Sequence, residues 1–300
     1  MRTAFCTIST QSHIFKAKVL LKSIREHSNT DLFCLLTDSN NTPTPHCGET
    51  YHTLDVLTSP NALHIKGKYR GNKLRWACKS LYLSYLLQQG YDAVIYADND
   101  TYFFTSPEFL FRKLSESSVL LTPHFYQMDA SSPIWLEANY TVGLYNAGFI
   151  GVSQGGAKAM DWWADCCLYN IKKARWRGLF DDQKYLDLLP VVFENIEVLK
   201  HKGCNVAGWN MVLSPRSTDA MGELLLGGAW PLVFMHFAPT TFRAILSGED
   251  PLLRSHMHAY VDGLKGVNSN YRLSSDLRRS PSDFFLYFRY IRWQLARIFE

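Results

Sequence analysis

Two carboxylates, Asp98 and Asp100, directly follow an apolar run, Ala93–Ala97, that has the composition of a buried strand. Carboxylates at positions i and i+2 on a chain that leaves a strand can converge on one cation. Mg²⁺ and Mn²⁺ prefer oxygen ligands and keep coordination positions open for substrate phosphates. In open α/β sheets, ligands bind beyond the carboxyl ends of the strands, which is where this pair falls. The pattern therefore indicates a divalent-metal site, and its alternative is a solvated acidic turn.

Further polar residues that could do chemistry lie at or near the ends of other predicted elements. A glycine within a strand lets a ligand approach the backbone closely. An aspartate at the start of a helix is often only a cap, and a histidine in an apolar run is more often a packed core residue than a ligand. The candidates are Asn146, Ala147 and Gly148 in a strand-like run, Asp182 and Gln183 at the start of a short helix, Asn205 in a polar and aromatic loop, and His236 in the apolar run LVFMHF.

The elements that position these residues follow from hydrophobic periodicity. Residues 3–8 and Asp31–Leu36 are short apolar runs that predict buried strands. Between them, apolar residues from position 14 to position 24 recur with helical spacing. Strand, helix and strand in this order form a βαβ unit, which requires parallel strands. We therefore predict an α/β fold with a mostly parallel central sheet flanked by helices.

The second half of the chain is less regular. Residues 145–152 predict a strand that two glycines interrupt, and residues 157–177 carry apolar residues at helical spacing, which predicts one helix. After it, a loop is expected to turn into a short helix that Pro190 ends. The run 232–237 predicts a late strand. Neither an internal repeat nor a linker divides the chain, and 300 residues are enough to bury a large core.

Composition excludes several classes of protein. Hydrophobic residues make up 47% and charged residues 19% of the chain, as in ordinary globular domains. A formal net charge of +4 is too small to indicate a nucleic-acid partner. The seven cysteines are scattered without CxxC spacing, which favours reduced thiols and a cytoplasmic location. The N-terminus has no long apolar region, so neither a signal peptide nor a membrane-spanning segment is expected there.

The order of the motifs along the chain resembles that of GT-A-fold glycosyltransferases. Asp-x-Asp is followed by Asn-Ala-Gly-Phe, then by Asp-Gln, an asparagine-rich loop and a late histidine. The resemblance is closest to family 8, and it extends to bacterial lipopolysaccharide and capsule glycosyltransferases. It covers most of residues 3–243 as an ordered set of short motifs. It implies a GT-A-type, Rossmann-like domain that moves a sugar from a nucleotide diphosphate donor, UDP-linked by analogy, to a glycan or lipid-linked acceptor.

The resemblance also assigns roles to single residues. Asp98, Asp100 and His236 match the ligands of a Mn²⁺ (or Mg²⁺) ion that bridges the two phosphates of the donor. A cation near these phosphates matches Lys79, or Arg75 one helical turn earlier, and Arg243 stands where a phosphate-binding lysine follows the histidine. The donor-binding residues are Asn146, Ala147, Gly148 and Asn205, with Asp182 on the sugar hydroxyls and Gln183 near the anomeric carbon.

Some features depart from the family pattern and leave other readings open. Residues 7–12 lack the acidic residue that often holds the base and ribose, and Lys184 follows Gln183 where some relatives carry a carboxylate. Family-8 relatives retain the anomeric configuration, and we predict retention here. One alternative is a haloacid-dehalogenase-type phosphatase with Asp98 as nucleophile, although at least two predicted strands precede the motif. The other is a non-catalytic sugar-binding module, which the loss of a metal ligand would mark.

Residues 266–300 are basic and aromatic, and we predict a helical tail outside the domain of residues 1–265. Interleaved arginines and aromatic residues on a helix are typical of segments that lie on an anionic membrane surface. Such contact predicts a peripheral protein on the inner face of the cell membrane and suits a lipid-linked acceptor. The alternative is a helix packed on the domain with its arginines outward. The tail contains Arg289, Arg292 and Trp293 among Phe284, Phe285, Tyr287, Phe288 and Ile291.

Overall fold

The computed structural model describes residues 1–277, which form a seven-stranded sheet, two smaller sheets and nine α-helices. The strands are β1 (Thr3–Ser9), β2 (Asp31–Leu36), β3 (Thr50–Thr53), β4 (Ala93–Ala97), β5 (Thr101–Phe103), β6 (Val119–Pro123), β7 (Tyr145–Ser153), β8 (Ile196–Val198), β9 (Arg216–Thr218), β10 (Leu224–Leu226), β11 (Trp230–Pro231) and β12 (Phe234–His236). The helices are α1 (Ile14–Arg25), α2 (Pro60–Lys68), α3 (Gly71–Gln88), α4 (Glu108–Leu114), α5 (Pro133–Thr141), α6 (Ala157–Tyr169), α7 (Leu189–Val192), α8 (Pro239–Ser247) and α9 (Arg254–Val267).

The strands of the large sheet are ordered β3-β2-β1-β4-β7-β6-β8. Strand β1 pairs in parallel with β2 and β4, β2 pairs in parallel with β3, and β6 pairs in parallel with β8. Strand β7 runs in the opposite direction between β4 and β6. Strands β1 and β2 with helix α1 form the predicted βαβ unit. The predicted α/β fold with a mostly parallel central sheet flanked by helices is therefore confirmed.

Helices cover both faces of this sheet. Successive side chains of a strand point to opposite faces, and here the side chains on both faces are apolar and pack against helices. On β1, Ala4 and Cys6 belong to a hydrophobic cluster that includes residues of α3 and α6. Phe5, between them, belongs to a second cluster with residues of α1 and α4. All three side chains are buried. A strand covered on both faces is a continuous apolar run in the sequence, which explains why these strands were predictable.

Two predicted boundaries in the second half of the chain are wrong. Helix α6 ends at Tyr169 rather than near residue 177. The residues that follow are mostly basic or, like Trp176, exposed, so they offer no continuous apolar face to pack. Helix α7 begins at Leu189, and Pro190 lies in its first turn instead of ending a helix. Proline is tolerated there because the first N–H groups of a helix have no partner within it.

The C-terminal helices pack on the first helix of the fold. Helix α9 lies against α1 so closely that a Cβ on Gly263 would be 3.2 Å from Val19. Beyond α9, Tyr271 is buried and Asp276 pairs with Lys16 at 2.5 Å. The rest of the predicted membrane-binding tail, residues 278–300, lies outside the described residues. Within residues 1–277, no helix combines the length and the apolar character needed to cross a membrane.

All seven cysteines lie in the described part of the chain and carry free thiols. Burial raises the pKa of the Cys6, Cys34 and Cys78 thiols above the ordinary value. These side chains therefore stay protonated and pack as small apolar groups.

Candidate active site

The connection between β4 and β5 brings the two carboxylates next to the late histidine. The chain leaves β4 at Asp98 and turns there, with the Thr101 N–H donating to the Asp98 carbonyl at 3.0 Å. Strand β5 then pairs antiparallel with β12, which sets His236 opposite Thr101. The Phe237 N–H donates to the Asp100 carbonyl at 2.7 Å. Backbone pairing therefore fixes the histidine beside the acidic turn.

Asp98, Asp100 and His236, here called the trio, each offer one potential metal-ligand atom. These three atoms lie within 4.8 Å of one another. The Nε2 atom of His236 is 3.1 Å from the Asp100 carboxylate. Burial alone would lower the pKa of His236, but the facing Asp100 carboxylate raises it. Burial alone would raise the pKa of Asp100, but His236 holds it well below the usual range. Two carboxylate oxygens and one imidazole nitrogen at this separation fit a divalent cation such as Mn²⁺ or Mg²⁺.

Strand β7 passes so close to the trio that only glycine fits at position 148. A Cβ on Gly148 would lie 2.7 Å from Cε1 of His236. It would also lie 2.9 Å from Oδ1 of Asn146 and 2.9 Å from Oδ2 of Asp98. These distances are inside the optimal carbon contact distance of about 3.5–4.0 Å. The backbone of β7 thus forms one wall of the site, and any side chain at position 148 would displace Asp98, Asn146 or His236.

Asn146 and Asn205 lie on the Nδ1 side of the His236 ring. The Asn146 side-chain amide donates to the Asn205 side-chain oxygen at 3.0 Å, and it is 3.1 Å from Nδ1 of His236. The Gly148 N–H donates to Asn146 Oδ1 at 2.7 Å. Asn205 is completely buried and has a left-handed backbone, with φ of 57°. Partners behind a metal ligand orient it, so these asparagines fix the ring of His236.

Lys79 of helix α3 is 3% exposed and lies between two carboxylates. Its Nζ is 3.3 Å from Asp98 and 3.4 Å from Asp182, and it donates to the Ala147 carbonyl at 3.0 Å. Burial alone would lower the pKa of Lys79, but the two carboxylates raise it, so it stays charged. Burial raises the pKa of Asp182 to about 6, because one ammonium shared with Asp98 offsets burial only in part. Tyr96 donates its hydroxyl to Asp98 at 2.5 Å.

Two cavities meet at the trio. The larger has a volume of about 670 Å³ and the smaller about 240 Å³, and Trp76, Lys79 and Asp98 line both. The smaller cavity lies beside the start of α1 and is polar, with Lys16 and Arg75 in its wall as well as the carboxylates of Asp98 and Asp100. A ligand that fills both cavities would therefore pass directly over Asp98 and Lys79.

The structure brings most of the residues predicted from the sequence to these two cavities. Gln183 lines the larger cavity, where it accepts from the Ala147 N–H at 3.3 Å and donates to the Val142 carbonyl at 3.2 Å. Arg75 lines the smaller cavity and donates to Asn72 at 2.6 Å. Asn205 is in neither wall and reaches the site only through Asn146. The other predicted residues that line the larger cavity are Asn146, Ala147, Gly148, Asp182, His236 and Arg243.

Several residues of the site have no clear signal in the sequence. Lys16 looks like one more polar residue of an amphipathic helix. The side chain of Arg216 is 5% exposed and donates to Asp250 at 3.0 Å and to the Ala207 carbonyl at 2.8 Å, which holds the loop that contains Asn205. These contacts join residues that are far apart in the chain, so local patterns cannot reveal them. Also missed were Trp76, His124, Tyr126, Trp135, Phe180 and Asp181, which all line the larger cavity.

The chain matches no family model. It is 27% identical over 255 residues to YfnF, an uncharacterized protein of Bacillus subtilis (strain 168), and the match spans 79% of this chain and 82% of YfnF. Among solved structures, it is similar to mouse xyloside xylosyltransferase 1 in the apo form, with a TM-score of 0.51 and 12% identity, over 79% of this chain and 98% of that one.

A second similar structure is the apo form of the bifunctional glycosyltransferase WbbM. The TM-score is 0.51 at 12% identity, over 96% of this chain and 51% of that protein, so this chain spans about half of WbbM. The chain therefore has a glycosyltransferase fold. Membership of family 8 in particular stays a prediction.

Proposed function

We propose that the protein is a metal-dependent glycosyltransferase that moves a sugar from a nucleotide diphosphate sugar, most simply a UDP-sugar, to a glycan or lipid-linked acceptor. The observation that carries the proposal is the trio of Asp98, Asp100 and His236 at the meeting point of two cavities. Their position beyond a strand end of a glycosyltransferase fold is where open α/β sheets bind ligands.

The smaller cavity suits the nucleotide diphosphate. Lys16, Arg75 and Lys79 supply positive charge in its wall, as a pyrophosphate requires. Mn²⁺ or Mg²⁺ held by the trio would act as a Lewis acid that neutralises charge on the leaving diphosphate. Lys79 adds a fixed positive charge beside Asp98, and because it is buried it needs no rearrangement as the bond breaks.

The donor sugar would lie in the larger cavity, next to the trio. Oδ2 of Asp182 is buried and lies 3.4 Å from Nζ of Lys79, and its other lone pair can accept from a sugar hydroxyl. Gln183 is held by two backbone groups at the edge of β7. This fixed amide supports its proposed role near the anomeric carbon. Retention of configuration is part of the proposal and rests on the resemblance to family 8.

A panel of nucleotide sugars with Mn²⁺ present tests the proposal directly. We expect hydrolysis of at least one UDP-sugar, loss of this activity in EDTA, and recovery when Mn²⁺ or Mg²⁺ is added. Asp100→Asn should lower this activity by more than the roughly 10- to 100-fold expected when a residue that only orients a metal ligand is replaced. Asp262→Asn, on an exposed part of α9, is the matched control. Full activity of Asp100→Asn in EDTA, or no turnover of any donor, would sink the proposal.

The other two readings are not favoured. A phosphatase of the haloacid-dehalogenase type would use Asp98 as nucleophile, but the structural similarities are to glycosyltransferases. A sugar-binding module without catalysis would be expected to lack part of the trio. Turnover of p-nitrophenyl phosphate, with no turnover of nucleotide sugars, would reverse this preference.

A further inference from the structure

The larger cavity has an aromatic half, lined by Tyr126, Trp135, Phe180 and Trp209, that the proposed donor site does not use. These residues belong to one hydrophobic cluster that is separate from the main core. Tyr126 and Trp135 are stacked, with ring centroids 5.3 Å apart and an angle of 19° between the rings. The Trp209 ring lies 5.3 Å from the ring of His236. The aromatic half therefore begins beside the trio.

Asp181 contributes an unused hydrogen-bond acceptor to the same cavity. Its Oδ2 is 3.3 Å from Nζ of Lys173, but its Oδ1 is buried and has no partner among the described residues. The backbone of Asp181 is left-handed, with φ of 51°, a conformation that costs energy for residues other than glycine. Strain of this kind persists where the surrounding structure enforces it, and it clusters at ligand sites. Burial also raises the pKa of this carboxyl, as expected for an acceptor that has lost water.

Trp209 contributes an unused donor. Its indole N–H is buried and has no acceptor among the described residues. Buried polar groups are nearly always hydrogen-bonded, so an unpaired acceptor and an unpaired donor in one cavity call for a ligand that satisfies both. A lipid chain would leave both groups unpaired. Although Lys173 and Arg175 line the same cavity, an ionised phosphate has no hydroxyl to donate to the Asp181 carboxylate. A sugar ring carries hydroxyls that donate and accept, and its C–H faces can pack on aromatic rings.

We infer that the aromatic half of the larger cavity binds the acceptor as a sugar ring, with Asp181 accepting from one hydroxyl and the Trp209 N–H donating to an oxygen. The inference rests on the proposed function, because glycosyl transfer requires a second ligand in the cavity that holds the donor sugar. A volume of about 670 Å³ lies in the range that holds a drug-sized ligand. Two sugar rings together are about the size of such a ligand, so the donor sugar and the acceptor ring can share the cavity.

Saturation-transfer NMR with the methyl β-glycosides of glucose, galactose and N-acetylglucosamine tests this inference. We expect at least one of them to bind the wild-type chain and the exposed control Asp262→Asn with equal affinity. Asp181→Gly should weaken that binding by about tenfold, the loss expected for a hydrogen bond to a charged group. Trp209→Phe keeps a ring but removes the donor, so it should weaken binding by a smaller factor.

Thermal unfolding separates a binding role of Asp181 from a structural one. Asp181→Gly should be as stable as the wild type or more stable, because glycine adopts the left-handed conformation without strain. Should that variant fail to fold, Asp181→Asn tolerates the same conformation and should still weaken binding. Nucleotide-sugar turnover without any glycoside binding, or unchanged binding by both Asp181 variants, overturns the inference and leaves the proposed function intact. No turnover of any donor would instead remove the proposed function.

Discussion

Among the single residues of the site, Gly148 is tightly constrained, because a Cβ at this position would meet three side chains of the site. Gly148→Ala would push a methyl group against His236, Asn146 and Asp98. We expect Mn²⁺ binding, measured by calorimetric titration, to weaken by at least about tenfold. Gly266→Ala, the same change in open space on an exposed helix face, should bind as the wild type does and stabilise the fold by up to about 1 kcal/mol. Equal Mn²⁺ affinity in the two variants would contradict this role.

A second prediction concerns the charge of Asp182, whose pKa burial raises to about 6 from an unfolded value of 3.8. When the pKa of a carboxyl is higher in the folded state than in the unfolded state, its contribution to stability is complete below the unfolded-state pKa. This contribution is lost as the pH rises through the folded-state pKa. At about 1.4 kcal/mol per unit, the loss reaches up to about 3 kcal/mol. Asparagine does not titrate, so Asp182→Asn should gain this much relative to the wild type between about pH 4 and about pH 7.

Urea unfolding of both proteins across this range measures the gain. Asp262→Asn provides the matched control, because it makes the same change at an exposed carboxylate. A stability difference between Asp182→Asn and the wild type that does not change with pH would refute the prediction.

Substitutions of Lys79 and Arg75 distinguish a cation that also stabilises the fold from a cation that serves only to bind the donor phosphates. Lys79→Met should weaken UDP binding and also destabilise the fold by about 3–5 kcal/mol, because it leaves Asp98 and Asp182 without their cation. Arg75→Met should weaken UDP binding with little change in thermal unfolding, since Arg75 donates to Asn72 at the helix surface. Calorimetric titration with UDP and Mn²⁺ and thermal unfolding give the two readouts. Wild-type affinity in both variants would remove these cations from the donor site.

The metal-site candidates could be predicted because each lies next to a strong local signal. Asp98 follows a continuous apolar strand, and His236 ends one. Asp181 and Arg216 could not be predicted in this way. The first depends on a left-handed backbone and a pairing with Lys173, and the second on a partner in another element. Such contacts exist only once the chain has folded.

Among the elements, the central strands of the large sheet and the late strand β12 were predictable, whereas the strands of the three-stranded sheet were not. Strands β1, β2 and β4 are buried on both faces, and this burial gives continuous apolar runs. Strands β9, β10 and β11 have two or three residues each, too few to show a period of two. Helix α5, which lines the larger cavity, was missed because its apolar residues face a cavity as well as the core.

The small sheet of β9, β10 and β11 is tied to the rest of the fold by the ion pair between Arg216 and Asp250, whose side chains are 5% and 4% exposed. Arg216→Met leaves a buried carboxylate unpaired and should destabilise the fold by about 3–5 kcal/mol in urea unfolding. Lys113→Met breaks an ion pair with Glu197 at 2.8 Å whose side chains are 39% and 40% exposed, and it should cost no more than about 1 kcal/mol. Equal losses in the two variants would mean that burial does not decide the strength of the Arg216 pair.

For the whole molecule, the chain beyond α9 lies beside the donor side of the site. Asp276 accepts from the Tyr271 hydroxyl at 2.8 Å and pairs with Lys16, which lines the smaller cavity. Removal of residues 281–300 keeps these contacts, so we expect unchanged thermal unfolding and unchanged hydrolysis of the donor. Removal from residue 268 onward deletes the buried Tyr271 and should lower the unfolding temperature. An unfolded 281–300 deletion would instead assign that segment to the core.

The last prediction is that residues 281–300 bind a membrane surface without crossing it. Arg289, Arg292 and Trp293 lie on or near one face of a predicted helix, and Phe285 and Phe288 supply apolar depth. Attraction of arginine to anionic lipid is screened by salt, while insertion of aromatic side chains is not. Binding to phosphatidylglycerol vesicles, measured by sedimentation, should therefore fall at high salt but not vanish, and phosphatidylcholine vesicles should bind weakly. Deletion of 281–300 should abolish vesicle binding and leave donor hydrolysis intact. Equal vesicle binding by the full and shortened chains would contradict a membrane-binding role for residues 281–300.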